Sequence, residues 1–319
     1  MHNELFSIGP VTVYGYGLMI AIGVLAAYFA ASLLAKKQSL DPDPVFSLLL
    51  VGVGFGILGA KLLYYITIFD EILANPKLLL DVGDGFVVYG GVILGIAAAY
   101  LYCRIKKLPF LSYLDCAAPA IALAQGFGRI GCFLAGCCYG IPFDSPISVT
   151  FQHSDFAPNG IPLFPTQLVS SGLNFLHFLL LTLLLRSGKL KNRIGPAYLI
   201  FYSVGRFGIE FLRGDLERGK VGALSTSQFI SLFVAAAGIA LLFLLTVKQK
   251  RTPAVAGEAL PDAEDGGEEE KSPETGGEKN VDHPGTEKEK ETNRPGREEE
   301  KEGKDSETGD KDAADETKS

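Results

Sequence analysis

The first ten residues contain no Lys or Arg, and no small-residue cleavage site follows the first apolar run. A cleavable secretory leader needs both, so the first apolar segment is expected to stay in the membrane. Internal repeats are also missing, which argues against transporters built from two similar halves. There is no Cys-x-x-Cys pair; the five cysteines are Cys103, Cys116, Cys132, Cys137 and Cys138. Their placement fits neither the common zinc-ligand spacing nor a small disulfide-stapled domain. Residues 252–319 have almost no large apolar side chains. Such a segment cannot bury enough surface to offset its ordering entropy and is expected to be disordered.

Charge divides the chain at the same point. Residues 252–319 carry 23 acidic and 10 basic side chains, whereas residues 1–251 carry 13 acidic and 19 basic. The tail is therefore −13 and the body +6, which together give the formal net charge of −7, so the acidity belongs to the tail and the body is apolar and slightly basic. The expected domains are a membrane body, 1–251, and an acidic cytoplasmic tail, 252–319, read as a solvated spacer.

A bilayer-spanning helix needs about 20 mostly apolar residues. Segments of that kind lie near 14–35, 45–67, 86–103, 113–135, 166–186, 194–212 and 224–247. The fold class is therefore all-α and polytopic, with about seven transmembrane helices. Basic clusters follow the first, third, fifth and seventh segments: Lys36-Lys37, Arg104 to Lys107, Arg186 to Arg193, and Lys248 to Arg251. All four fall on one face, which the positive-inside rule makes cytoplasmic. The N-terminus is expected outside and the tail inside. The outward stretch 140–165 carries five prolines and four phenylalanines. It is expected to lie along the outer surface, either as a functional loop or as a packed cap.

A charge inside a span costs roughly 2.5–3.5 kcal/mol on insertion scales, so such residues are paired, wetted or functional. Arg129 sits late in the fourth segment, in Gly128-Arg129-Ile130-Gly131. It either holds a phosphate or pairs with a structural carboxylate or snorkels outward. Arg206 and Glu210 in the sixth segment and Arg213 just past it have i, i+4, i+7 spacing and would share one helix face, with Tyr202 one turn earlier. That face is either an anion site, with Glu210 orienting one arginine, or a self-satisfied ion-pair ladder. Lys61 lies deep enough in the second segment to need a partner or water. His177 is expected to be a satisfied interior histidine. The cluster Cys132, Cys137 and Cys138 is read as buried thiols by default, with a disulfide as the next alternative and zinc behind it.

At these residues the chain resembles the prolipoprotein diacylglyceryl transferases of bacterial plasma membranes. The resemblance runs from Phe6 to Pro10 and Tyr16-Gly17 through Asp84-Gly85 and Tyr89-Gly90-Gly91. It continues in Gly128 to Gly140, Pro165-Thr166-Gln167-Leu168, Arg206 to Asp215 and Ser225 to Gln228. It implies a multi-pass inner-membrane protein whose site faces the outer leaflet. The implied reaction transfers the diacylglyceryl group of phosphatidylglycerol to the lipobox cysteine of a preprolipoprotein signal peptide, releasing glycerol phosphate. The partners so implied are that lipid, that peptide and the bilayer, with no nucleic acid, cofactor or metal. By match to its motifs, Arg129, Arg206, Tyr89 and Glu210 are the expected catalytic residues. Tyr16, Arg129, Gly140, Cys132, Gln167 and Arg213 are the expected substrate-binding residues. Some positions depart from the family. Tyr89 stands where the family has a histidine considered a base for the thiol, and an unperturbed Tyr titrates near 10. Cys132, Ala135 and Cys137 replace polar family residues, and Phe164 replaces a histidine. A non-catalytic phospholipid binder or translocator, or a transferase with another acceptor, remains open on the same scaffold.

Overall fold

The structure, a computed structural model, describes residues 4–8, 11–80, 83, 85–215, 219–222 and 224–251. The acidic segment 252–319 lies outside the described residues, as do Gly9, Pro10 and Asp84 of the motifs above. A short hairpin, β1 (Glu4–Ile8) and β2 (Val11–Tyr14), leads directly into α1 (Gly15–Lys37). Then come α2 (Asp43–Thr67), the short α3 (Phe69–Ala74), α4 (Val88–Ile105) and α5 (Phe110–Ala135). Two minimal strands, β3 (Val149–Thr150) and β4 (Pro162–Leu163), precede α6 (Thr166–Arg186) and α7 (Ile194–Glu210). A second small hairpin, β5 (Lys220–Val221) and β6 (Leu224–Ser225), opens α8 (Thr226–Arg251).

Six helices among the described residues are long and apolar enough to cross a bilayer: α1, α2, α4, α5, α6 and α8. The expected span 194–212 appears as α7, which has only 17 residues. At 1.5 Å per residue it rises roughly 26 Å. Its Arg206 and Glu210 lie in the last two turns. Nevertheless its two ends are tied to opposite ends of the bundle. At one end Asp115 accepts the Ile194 N–H at 2.8 Å, and Arg193 donates to Thr246 at 3.0 Å. At the other end Ser225 donates to Glu210 at 2.9 Å.

The helices pair α1 with α5, α2 with α4, α5 with α6 and α7 with α8. Glycines set the α2–α4 seam. A Cβ on Gly59 would overlap the Gly90 carbonyl oxygen, and one on Gly90 would overlap that of Gly59. Close backbone approach of this kind is how membrane helices gain packing without a hydrophobic driving force. Large side chains such as Phe29, Ile66, Val204 and Phe243 point outward and are exposed. That distribution suits contact with lipid tails.

The two ends of the bundle differ. The core of Ala31, Leu34, Ala35, Tyr113, Cys116, Leu181, Leu185 and Ile194 fills the end that carries the basic connections. Tyr113 donates to the Asp41 carbonyl there at 2.8 Å. Asp115 is almost wholly buried and sits at the N-terminus of α7, where a carboxylate answers both the unpaired N–H groups and the helix dipole.

The opposite end is closed by the 140–165 segment, a packed cap around Phe151, Ala157 and Leu163. It begins where Gly136, at φ 75°, terminates α5 in the left-handed region. A backbone seam then joins this segment to the end of α7: Ile141 N–H donates to Leu212 O at 3.1 Å and Gly214 N–H to Tyr139 O at 3.0 Å. Gly140 lies in the seam because a Cβ there would overlap the Phe164 carbonyl oxygen and stand 3.0 Å from that of Leu212.

Two substitutions check these joints. Asp115→Ala strips a buried N–H of its acceptor, at a cost of about 1–3 kcal/mol, and is expected to lower the thermal midpoint in detergent more than Asp115→Asn does. Gly140→Ala should lower the same midpoint, whereas Gly128→Ala, where a Cβ meets nothing within 4 Å, should leave it unchanged or raised. Equal midpoints for the two alanine variants would contradict the seam.

Candidate functional site

Arg129 and Arg206 line one cavity of about 240 Å³ between α5, α6 and α7. Its polar lining includes Ser170, Asn174, His177 and Tyr202, and its apolar lining includes Leu173, Leu176, Leu180, Phe201 and Ile209. Ser170, Asn174 and His177 have i, i+4, i+7 spacing, so one face of α6 supplies them. The cavity thus joins two cationic groups near the capped end to an apolar interior.

The two guanidiniums are held differently. Arg206 Nη1 lies 2.6 Å from Glu210 Oε2, though off the hydrogen-bond axis. Its Nη2 donates to Ser227 Oγ at 2.7 Å. Glu210 accepts in turn from Ser225. Among the described residues Arg129 makes no hydrogen bond or ion pair. Arg213 is buried and gripped by Asp215 through two bonds, Nε to Oδ1 at 2.8 Å and Nη2 to Oδ2 at 2.5 Å. Burial works against its charge, but the Asp215 carboxylate more than compensates and raises its pKa. Two of the three arginines are therefore neutralised by carboxylates, and Arg129 carries the excess positive charge.

Three expectations change here. The i, i+4, i+7 ladder does not form, because α7 ends at Glu210 and Arg213 lies past it in the seam. Arg213 therefore pairs with Asp215 rather than sharing Glu210. Gln167 is almost fully buried and spends its amide on the Cys137 carbonyl at 2.9 Å, while Thr166 donates to the Cys138 carbonyl at 2.9 Å. Both side chains position the turn after α5 instead of facing the cavity. His177 is stacked on Tyr198 at 5.0 Å between ring centroids, yet its buried Nε2 has no hydrogen-bond partner. The spacing of Ser170, Asn174 and His177 was the available signal for this cavity face.

The remaining expected residues gather at the same end. Tyr89, half exposed in the first turn of α4, is within electrostatic reach of Tyr202 and Arg206. Tyr16, at the start of α1, is within reach of Arg129 and of Cys132, Cys137 and Cys138. Gly140 serves the seam. Lys61 is buried with its Nζ 5.0–5.2 Å from the ring centres of Tyr64, Tyr65 and Phe86, an aromatic surround for an ammonium.

All five cysteines are thiols. The sulfurs of Cys132, Cys137 and Cys138 lie within 4.8 Å of one another. Cys138 has φ 60°, a left-handed conformation that costs a non-glycine residue about 1–2 kcal/mol. Hydrogen bonds from Cys132 and Cys137 lower the Cys138 pKa, and the charges of Arg213 and Arg129 act in the same sense.

The family model for prolipoprotein diacylglyceryl transferase matches residues 3–244. A phosphatidylglycerol–prolipoprotein diacylglyceryl transferase of Clostridium tetani is 50% identical over 239 residues, covering 75% of this chain and 96% of that protein. The enzyme of the same name numbered 2 in Clostridium perfringens is 42% identical over 251 residues, covering 78% and 96%. That of Finegoldia magna is 34% identical over 253 residues, covering 79% and 97%. With the match spanning every described helix that builds the arginine-lined cavity, the chain belongs to the prolipoprotein diacylglyceryl transferase family.

Proposed function

We propose that this protein moves the diacylglyceryl group of phosphatidylglycerol onto the lipobox cysteine of a preprolipoprotein, as the names of its relatives describe for them. The observation that carries the reading is the single cavity shared by Arg129 and Arg206. With the Arg206–Glu210 and Arg213–Asp215 pairs close to neutral, Arg129 leaves one net positive charge. One phosphodiester carries one negative charge, so the site and the donor head group match.

The reaction joins the thiol sulfur to the glycerol carbon that bears the phosphate ester. The carbon–oxygen bond breaks, and glycerol phosphate departs with a second negative charge. A cationic cavity favours that second charge more than the first, which is the condition for lowering a barrier rather than merely binding. Glu210, Ser225 and Ser227 fix Arg206 before substrate arrives, so little reorganisation is needed. The apolar lining from Leu173 to Leu180 offers room for the acyl chains next to the head group.

The topology follows from the basic connections, which lie at the end of the bundle remote from the cavity. On the positive-inside rule that end is cytoplasmic. The N-terminus and the site then face the outer leaflet of the plasma membrane, where a secreted precursor presents its cysteine. We assign the catalytic body to residues 1–251 and read 252–319 as an acidic cytoplasmic spacer.

Incubating the purified protein with phosphatidylglycerol and a lipobox peptide should raise the peptide mass by one diacylglyceryl unit. Arg129→Ala and Arg206→Ala should each slow this by about 100- to 1,000-fold while remaining inserted in membranes. An unmodified peptide in the presence of intact protein would overturn the proposal.

A further inference from the structure

The proposed reaction needs a deprotonated thiol at neutral pH. Tyr89 is poorly suited to take that proton, since it is half exposed and an ordinary phenol titrates near 10. His177, which lines the cavity, is stacked on Tyr198 and edged by Phe201 among leucines of α6. What stands beside Arg129 instead is the thiol trio. Cys132 follows Arg129 by three residues on α5, so the two share one side of the helix. The charge of Arg129 acts on both Cys132 and Cys138.

Among the described residues, Cys132, Cys137 and Cys138 are the group of potential ligands whose donor atoms converge. Three thiolates around an ion with bonds of about 2.3 Å stand roughly 3.8 Å apart in a tetrahedral arrangement. The observed limit of 4.8 Å leaves only a small contraction. The backbone is built to hold them: Gly136 turns the chain at the end of α5, Cys138 accepts a left-handed φ, and Thr166 and Gln167 bind the carbonyls of Cys138 and Cys137. A strained residue fixed by buried side chains marks a position whose side-chain direction matters.

We propose that Cys132, Cys137 and Cys138 form a three-thiolate site for a divalent ion of the zinc class, with its fourth position open to the acceptor cysteine thiol. This rests on the transferase reading above. Three protein ligands with an open position is the pattern of catalytic rather than structural zinc. On entering the fourth position the acceptor thiol gives its proton to water, because a metal-bound thiol is deprotonated outright. Its sulfur then attacks the glycerol carbon, and the carbon–oxygen bond electrons leave with the phosphate held by Arg129 and Arg206. The product is a neutral thioether, a poor ligand that departs from the ion. No electron transfer is involved, and the ion is unchanged.

The test uses the full chain in detergent. Cd²⁺ titration, followed by thiolate-to-metal charge-transfer absorption and by metal content, should give one ion per chain. Cys132→Ser, Cys137→Ser and Cys138→Ser should each weaken binding at least 100-fold, whereas Cys103→Ser and Cys116→Ser should not. Where a serine variant fails to fold, the bound ion should protect three of the five cysteines of the unmutated protein from a maleimide. With Co²⁺ in the site, a lipobox peptide should change the visible spectrum, and the same peptide with Ser for Cys should not. Removing the ion should slow thioether formation at least 100-fold, and Zn²⁺ should restore it. Absence of stoichiometric Cd²⁺ binding, or of maleimide protection, would overturn the site. Undiminished transfer by metal-free protein would overturn its role and leave the transferase reading intact. Absence of transfer by metal-free and zinc-loaded protein alike would instead sink the transferase reading.

Discussion

A guanidinium kept charged among apolar helices must be answered by an anion, and that demand organises one whole end of this bundle. Arg206 is answered by Glu210, and Arg213 by Asp215. Arg129 has no such answer among the described residues and faces the cavity it shares with Arg206. Removing a charge from water costs several kcal/mol per ion even after relaxation. Under the proposed reading, the lipid phosphate supplies the partner that Arg129 lacks.

The rest of the architecture serves that arrangement. The end with the basic connections carries the tight core around Ala35, Cys116, Leu181 and Ile194, together with the Asp115 cap on α7. Rigidity there fixes the axes of α5, α6 and α7. The site end is made of helix termini, where backbone groups and short turns place side chains that a continuous helix could not. The Gly140 seam, the Gln167 and Thr166 bonds and the Ser225 and Ser227 contacts all lie at such termini. Arg129 lines this cavity and is also within electrostatic reach of Cys132 and Cys138.

Much of this was legible in the sequence, for reasons that differ by element. The long apolar runs gave the spans because a bilayer enforces length and composition. α7 read as a span from its apolar run despite Arg206 and Glu210, although at 17 residues it is shorter than the other six. Arg129, Arg206 and Glu210 stood out because charge in an apolar segment is costly. The misplacement of Arg213 came from extending helical periodicity past Glu210, where the seam with Gly140 ends the helix. Gln167 and His177 exchanged roles relative to expectation. Hydrogen bonds to carbonyls some 30 residues away, as Gln167 makes to Cys137, leave no local pattern. The convergence of Cys132, Cys137 and Cys138 depends on a left-handed turn at a cysteine, which composition does not disclose.

The central claim is that Arg129 and Arg206 grip one lipid phosphate together. A double-mutant cycle on the equilibrium affinity for phosphatidylglycerol, using Arg129→Ala, Arg206→Ala and the double variant, tests it most directly. Two groups on one ligand atom cluster should give losses that do not add, with a coupling of about 0.5–3 kcal/mol. Strictly additive losses, or full affinity in either single variant, would contradict a shared phosphate.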